Sequence, residues 1–247
     1  MTITQNIPTN VSHDPIGDPL GSSQRAQLDH LVVLASDLAQ GVTWCEQVLG
    51  VTPGPGGKHP LMGTHNRLFS IASAAFPLAY LEVIAIDPEA QNAVPGRASR
   101  WFDMDSAALQ QDVAAHGPKL IHFVARVPRI DAAVAALAAL GIDRGRVLDA
   151  SRATPAGLLE WRIGVRDDGA RLFDGALPTL IEWGAVHPAA TLGTSGVTLT
   201  QFSVQHPDHA ALAQAYQAIG LGAPVQAGAA RLEAVLDTPR GSVRLCA

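Results

Sequence analysis

The sequence predicts an α+β fold of tandem βαβββ modules whose mixed sheets form a cleft, followed by a shortened third βαββ copy. Three observations carry that expectation. A single layout (short apolar strand, polar break, Ala/Leu-rich helix, glycine) occurs three times along the 247 residues. The interval from a marked strand residue to that glycine is 20, 19 and 19 positions, running His30 to Gly50, His122 to Gly141 and Gln201 to Gly220. Each unit holds one helix and several strands, which favours α+β over a doubly wound parallel sheet.

The first strand is read over Leu28 to Leu34, the second unit's over Leu120 to Val127 and the third's over Leu199 to Val204. Helices follow over Asp37–Leu49, Asp131–Leu140 and His209–Ile219. Asp37, Asp131 and Asp208 stand where a side chain can accept from free N–H groups of a first turn. Gly50, Gly141 and Gly220 stand where a left-handed residue ends a helix. Gly41, inside the first helix, weakens it. Further strands are expected at Thr64–Ile71 and Ala79–Ile86, after the Gly/Pro-rich Pro53–Pro60. In the second unit they fall at Arg146–Asp149, Leu158–Val165 and Leu177–Trp183, and in the third at Ala230–Leu236 and Ser242–Leu245. The resulting organisation is a flexible arm over 1–27, a first module with its connector over 28–118, a second module over 119–190 and a partial third over 197–247. The connector, Asn92 to Gly117, carries Arg97, Arg100, Trp101 and Phe102 without a readable element. With Arg152–Gly157, it is expected to cover the cleft.

Composition narrows the function. Charged residues are 16% against a usual ~25%, and hydrophobic residues 47%, as in a compact chain with a large core. A net charge of −5 argues against a nucleic-acid footprint or an anionic membrane surface, and 5% aromatics against a stacking platform for single strands. Two distant cysteines, Cys45 and Cys246, make neither a disulfide framework nor a zinc ribbon. Cys45 has no neighbouring base to activate it. No apolar run reaches the ~20 residues of a span, and Met1–Gln27 lacks the basic and apolar regions of a secretory signal. The expectation is a cytoplasmic protein with a small-molecule partner, neither nucleic acid nor membrane, and compatible with a homodimer.

Two strand positions are out of character in both full units. His30 and His122 sit inside apolar opening strands, and Glu82 and Glu182 inside the runs Tyr80-Leu81-Glu82-Val83-Ile84 and Leu180-Ile181-Glu182-Trp183. A carboxylate there loses hydration unless it is paired, protonated or bound to a cation. The separations are 52 and 60 residues. If the units fold alike and pack together, the four side chains converge, and two imidazoles with two carboxylates suit a divalent Zn, Ni, Co, Mn or Fe ion. A lone strand histidine is more often a satisfied core residue; it is the repetition that lifts this pair above that reading. No Gly-rich phosphate loop, His-Glu-x-x-His or Gly-x-Ser-x-Gly is present.

Leu28-Asp29-His30-Leu31-Val32-Val33, Gly57-Lys58-His59-Pro60, Met62-Gly63-Thr64-His65-Asn66, Tyr80-Leu81-Glu82-Val83-Ile84-Ala85 and Leu177-Pro178-Thr179-Leu180-Ile181-Glu182-Trp183-Gly184 resemble the glyoxalase-like branch of the vicinal oxygen chelate superfamily. The resemblance spans Leu28 to Pro188 and, more loosely, the third unit. It implies paired βαβββ modules around a metal, with His30, Glu82, His122 and Glu182 as ligands. It further implies a lyase or isomerase in which the metal holds two substrate oxygens, an enediolate forms, and either Glu82 or Glu182 is the general base. Gln201 stands at the matching place of the third unit, but with Arg244 near the partner position no second metal site is expected. His59, His65 and Asn66 are substrate-binding candidates, or turn residues beside Gly56, Gly57 and Pro60. Arg162 can clamp a carboxylate or pair with Glu160, and Trp183 is expected to pack on the sheet face away from Glu182. Two rival readings remain. One is an iron-dependent extradiol-type dioxygenase using two histidines and one carboxylate. The other is a non-catalytic binding or resistance protein, which predicts a more aromatic cleft.

Overall fold

The computed structural model describes residues 25–90, 99–154 and 157–247. Most of the expected arm and parts of both expected cleft-covering loops lie outside the described residues. The chain opens with β1 (Gln27–Leu34), α1 (Leu38–Trp44), β2 (Gly54–His59), β3 (Thr64–Ser70) and β4 (Tyr80–Ile86). It continues through α2 (Ala107–His116), β5 (Lys119–Arg126), α3 (Ile130–Ala139), β6 (Arg146–Thr154), β7 (Gly157–Val165) and β8 (Thr179–Trp183). The last part is β9 (Thr198–His206), α4 (His209–Ile219), β10 (Val225–Ala227), β11 (Arg231–Thr238) and β12 (Gly241–Cys246). The α+β reading and the tandem βαβββ modules both hold.

One eight-stranded sheet runs β2-β3-β4-β1-β5-β8-β7-β6. In each module the opening strand pairs in parallel with the last, β1 with β4 and β5 with β8. The modules join where β1 and β5 pair antiparallel, with Val32 opposite His122 and His30 opposite Val124. Both faces of these central strands are buried, which is why they read as unbroken apolar runs rather than alternating ones. Leu31, Val33, Leu81, Val83, Leu120 and Phe123 face the helices and the small sheet. Val32, Leu34, Ile84, Val124, Ile163 and Ile181 face inward, around Trp101, Phe102 and Met104.

The helix ends follow the expected chemistry with two corrections, the first being that Asp208 stands at the N-cap of α4 but its side chain makes no cap bond. Asp37 accepts from the Gln40 amide at 2.8 Å, and Gly50 closes the π-helical turn Cys45–Leu49 at φ 74°. Asp131 does not cap α3: Arg129 stands there, and Asp131 lies one residue inside the helix, bonded to Arg162. The connector contains α2, whose first turn is capped by Ser106. The third segment has one more strand than expected, the short β10, and its own four-stranded sheet ordered β10-β9-β11-β12. Its opening strand lies antiparallel to β11, so it copies the sequence layout of the modules but not their pairing. It is anchored to both: the Tyr216 hydroxyl donates to the Ala176 carbonyl at 2.6 Å, and the Leu199 amide to the Ile71 carbonyl at 2.8 Å. Among the described residues no helix is long and apolar enough to cross a membrane.

Gly41 has a packing reason. A Cβ there would overlap Val83 Cγ1 at 2.4 Å, so the glycine sets how closely α1 lies on β4. Helix propensity alone makes Gly41→Ala stabilising by about 1 kcal/mol. We expect the opposite sign, a loss of about 1–3 kcal/mol from overpacking, read as a lower midpoint in urea denaturation.

Candidate functional site

The site is built on a bulge. β1 advances two residues, Leu28 to His30, while β5 advances one, so Asp29 is the extra residue and is turned into the interior. Asp29 has no exposed surface. Its carboxylate accepts from His30 Nδ1 at 2.7 Å, His187 Nε2 at 2.8 Å and Trp183 Nε1 at 3.0 Å. Burial alone would raise its pKa, but the hydrogen bonds and charges of His187 and His30 outweigh that and hold it far below the usual carboxylate range. An ionised Asp29 accepts the Nδ1–H of His30, so Nε2 is the nitrogen that faces the cleft. The ring stacks on Tyr80 with centroids 4.5 Å apart.

His30 Nε2 lies 3.6 Å from Glu82 Oε2. Glu82 is the same-face neighbour because Val32 opposes it in the parallel β1/β4 ladder. Its other oxygen accepts from Asn66 Nδ2 at 2.5 Å, and Asn66 Oδ1 is held by the Gly57 amide at 2.8 Å. His59 Nε2 accepts from Asn66 at 3.2 Å, and His59 Nδ1 donates to Thr64 Oγ1 at 3.0 Å. Burial lowers the His59 pKa to about 4 against the opposing pull of Glu82, with Arg152, His30 and His65 adding smaller downward contributions. Four of the sequence candidates, His30, Glu82, Asn66 and His59, therefore line one cleft. Its walls are Tyr80, Trp101, Phe102, Trp161, Trp183 and Arg152, and it encloses about 40 Å³, room for a few waters or the head of a small ligand.

The structure does not bring the other four to that cleft. In the second module the partner of Val124, two residues past His122, is Thr179 rather than Glu182. Glu182 lies three residues further, and an odd step in a strand reverses the face. It looks outward, where Oε2 accepts from the Ile130 amide at 2.6 Å and caps α3. Trp183, expected to pack away from the site, takes the cleft side instead. His122 is satisfied in place: Nδ1 donates to the Gly175 carbonyl at 3.0 Å, and Nε2 accepts from the Thr179 amide at 3.1 Å. Burial first, then the charges of Arg144 and Arg171, push its pKa well below the ordinary histidine value. Arg162 binds Asp131 through two bonds of 2.8 and 2.9 Å on the outer surface, rather than Glu160 or the cleft. His65 shares the Phe69 side of β3, opposite Asn66, with its Nε2 buried and unpartnered.

The four expected metal ligands thus fall into three places, and among the described residues no three His, Cys, Asp or Glu side chains are grouped to hold an ion. The donor set does not fit a four-ligand centre. His122 has both nitrogens engaged, and the buried Arg144 guanidinium bonded to Pro178 and Thr179 puts positive charge beside it. The sequence reading passed over Asp29, Tyr80, Arg152 and His187. Only Asp29 left a signal, a second acid in an apolar strand.

A family profile for the glyoxalase-like domain matches residues 28–220. No curated protein matches the chain. Among solved structures, a hypothetical protein from Staphylococcus aureus aligns with TM-score 0.56 and 15% identity, covering 89% of this chain and 85% of the other. Methylmalonyl-CoA epimerase from Mycobacterium tuberculosis aligns with TM-score 0.41 and 18% identity, over 70% of this chain and 97% of the other. A Streptomyces coelicolor methylmalonyl-CoA epimerase in complex with 2-nitronate-propionyl-CoA gives TM-score 0.41 and 18% identity, over 66% and 98%.

The buried neutral histidines make stability pH-dependent. His59 titrates at about 4 in the folded chain and near ~6.5 unfolded, so below ~6.5 the unfolded chain binds the extra proton. His122 acts in the same sense. Urea midpoints are expected to fall between pH 7 and pH 4, with a shallower fall in His59→Gln. Midpoints constant across that window would show that the buried rings titrate normally.

Proposed function

From the premise that the chain belongs to the glyoxalase-like domain family, we propose that it is a lyase or isomerase that moves a proton on a small oxygenated substrate. The carrying observation is Glu82: a carboxylate 5% exposed, at the floor of the cleft, 3.6 Å from the Nε2 of a histidine oriented by Asp29. Glu82 takes the proton from the carbon beside a carbonyl. The C–H electron pair forms the C=C bond of an enolate (an enediolate where that carbon bears a hydroxyl), and the carbonyl π pair moves onto oxygen. Return of the proton to the neighbouring carbon, with the hydroxyl proton passing to the former carbonyl oxygen, completes an isomerisation. Asn66 holds one Glu82 oxygen and leaves the other for this work, and His30 is placed to relay the proton from Oε2. General acid–base action of this kind is worth about 10²–10⁴ in rate.

A divalent ion, where the family resemblance implies one, would hold two adjacent substrate oxygens. His30 and Glu82 are the donors this cleft offers it, too few for the four-ligand centre. The dioxygenase alternative asks for a second histidine, which His122 does not supply. The non-catalytic reading keeps one supporting observation, the aromatic walls formed by Trp101, Phe102, Trp161 and Trp183.

The test is solvent deuterium exchange into small 2-oxo compounds, hydroxyacetone and pyruvate among them, followed by proton NMR. Glu82→Gln is expected to slow exchange at least about 100-fold. Glu182→Ala should retain exchange while losing about 0.5–2 kcal/mol of stability with the α3 cap. Binding of these compounds with no exchange in the unaltered protein would leave the non-catalytic reading standing.

A further inference from the structure

The proton-transfer reading leaves one feature of the cleft unused, a positive charge without a counter-charge. Arg152 reaches from β6, at one edge of the eight-stranded sheet, to β2 at the other, where a Cβ on Gly57 would overlap its guanidinium. It is partly buried and lines the cleft with Tyr80, Glu82 and Trp101. Arg100, Arg162 and Arg171 each hold a carboxylate, Asp105, Asp131 and Asp103 respectively. The Arg152 side chain makes no hydrogen bond or ion pair with any described residue, Glu82 included. A second donor in the same cleft is also idle: the Trp101 indole N–H is buried without an acceptor, in a side chain whose residue is 7% exposed.

An unpaired guanidinium and an orphaned N–H in one apolar cleft call for a group that only accepts and carries negative charge. A buried N–H left without an acceptor keeps its desolvation penalty in full, and a charged group a larger one. The planar guanidinium fork matches a carboxylate, two bonds to two oxygens. A cavity of about 40 Å³ admits a small head group, and Glu82 repels an anion placed against it, so the two poles orient what binds between them.

We infer that the cleft takes a small carboxylate-bearing substrate of the 2-oxo or 2-hydroxy acid class, its carboxylate held by Arg152 and the Trp101 indole N–H and its hydrogen-bearing carbon beside the carbonyl turned toward Glu82. The part concerning Glu82 rests on the proton-transfer reading; the anion site stands on Arg152 and Trp101 alone.

The test titrates the full chain with pyruvate, hydroxyacetone (a neutral analogue in which the carboxylate is replaced by a hydroxymethyl group) and inorganic phosphate, following tryptophan fluorescence. The unaltered protein should bind pyruvate at least tenfold tighter than hydroxyacetone or phosphate. Arg152→Gln should erase that preference and Arg152→Lys restore part of it. Gly57→Ala, which keeps the charge and pushes the guanidinium aside, should reduce it, with far-UV circular dichroism confirming that each variant is folded. Equal affinities in the unaltered protein, no binding of any probe, phosphate as tight as pyruvate, or a preference that survives Arg152→Gln would each overturn the inference. Deuterium exchange separates the two claims. Pyruvate preference lost in Arg152→Gln, with no exchange in the unaltered protein, sinks the proton transfer and keeps the anion site. Glu82-dependent exchange indifferent to Arg152 does the reverse.

Discussion

Three ring N–H groups from three parts of the chain converge on the buried carboxylate of Asp29: His30 from β1, Trp183 from β8, and His187 from the segment after β8. The contact ties the first module to the second across the cleft, since Trp183 and His187 belong to the second module's end and Asp29 to the first module's start. It also sets the chemistry. An ionised acceptor on Nδ1 holds a proton there and sets the ring so that Nε2 faces Glu82. His187 transmits the constraint outward: its Nδ1 accepts from Ala189 at 3.1 Å, fixing the turn whose Pro188 lines the cleft. Truncating one partner of such a buried charged group leaves the others uncompensated, so the cleft and its histidine stand or fall together.

The repeat was legible because the intervals between a strand residue and a helix-ending glycine survive divergence, and glycine is needed where the helix ends left-handed. Gly50 and Gly220 do so at φ 74° and 73°. The half-site of His30, Glu82, Asn66 and His59 was legible too, as polar side chains near or within apolar strands. The face of Glu182 was not. Strands buried on both faces lose the alternation from which orientation is read, so the residues around Glu182 give no sign of which side it takes. Only the β5/β8 register, with Thr179 opposite Val124, decides it. The bulge at Asp29 is equally silent in sequence, because nothing local distinguishes an extra residue in a strand from a regular one. The connector helix α2 also stops at a glycine, Gly117 at φ 88°, but lacked the preceding strand that marked the others.

The two modules have kept one backbone plan and exchanged their side-chain roles. The first supplies the carboxylate, the amide and two imidazoles. At the matching depth the second supplies Trp161, Trp183 and Ile181, with Arg152 at the rim. Its histidine became a structural ring, held by Gly175 and Thr179, and its glutamate a helix cap. The internal symmetry that suggested four converging ligands is therefore a symmetry of the main chain. Each substitution is locally satisfied, which is what a duplicated site that has specialised its halves requires.

Composition misled in one respect, and the reason is spatial. Aromatic residues are 5% of the chain, yet three of its four tryptophans line the cleft. An average over 247 residues says little about a wall built from a handful. Those rings narrow the space between Glu82 and Arg152 to room for a few waters. In such a medium both charges act more strongly on a ligand than they would at the surface, because solvent screens them less. A dipolar or anionic small molecule entering there has one favourable orientation, negative end to the guanidinium and reacting carbon to the carboxylate. The aromatic walls, which taken alone suggest mere binding, are what make a fixed pair of opposite charges effective enough to orient a substrate.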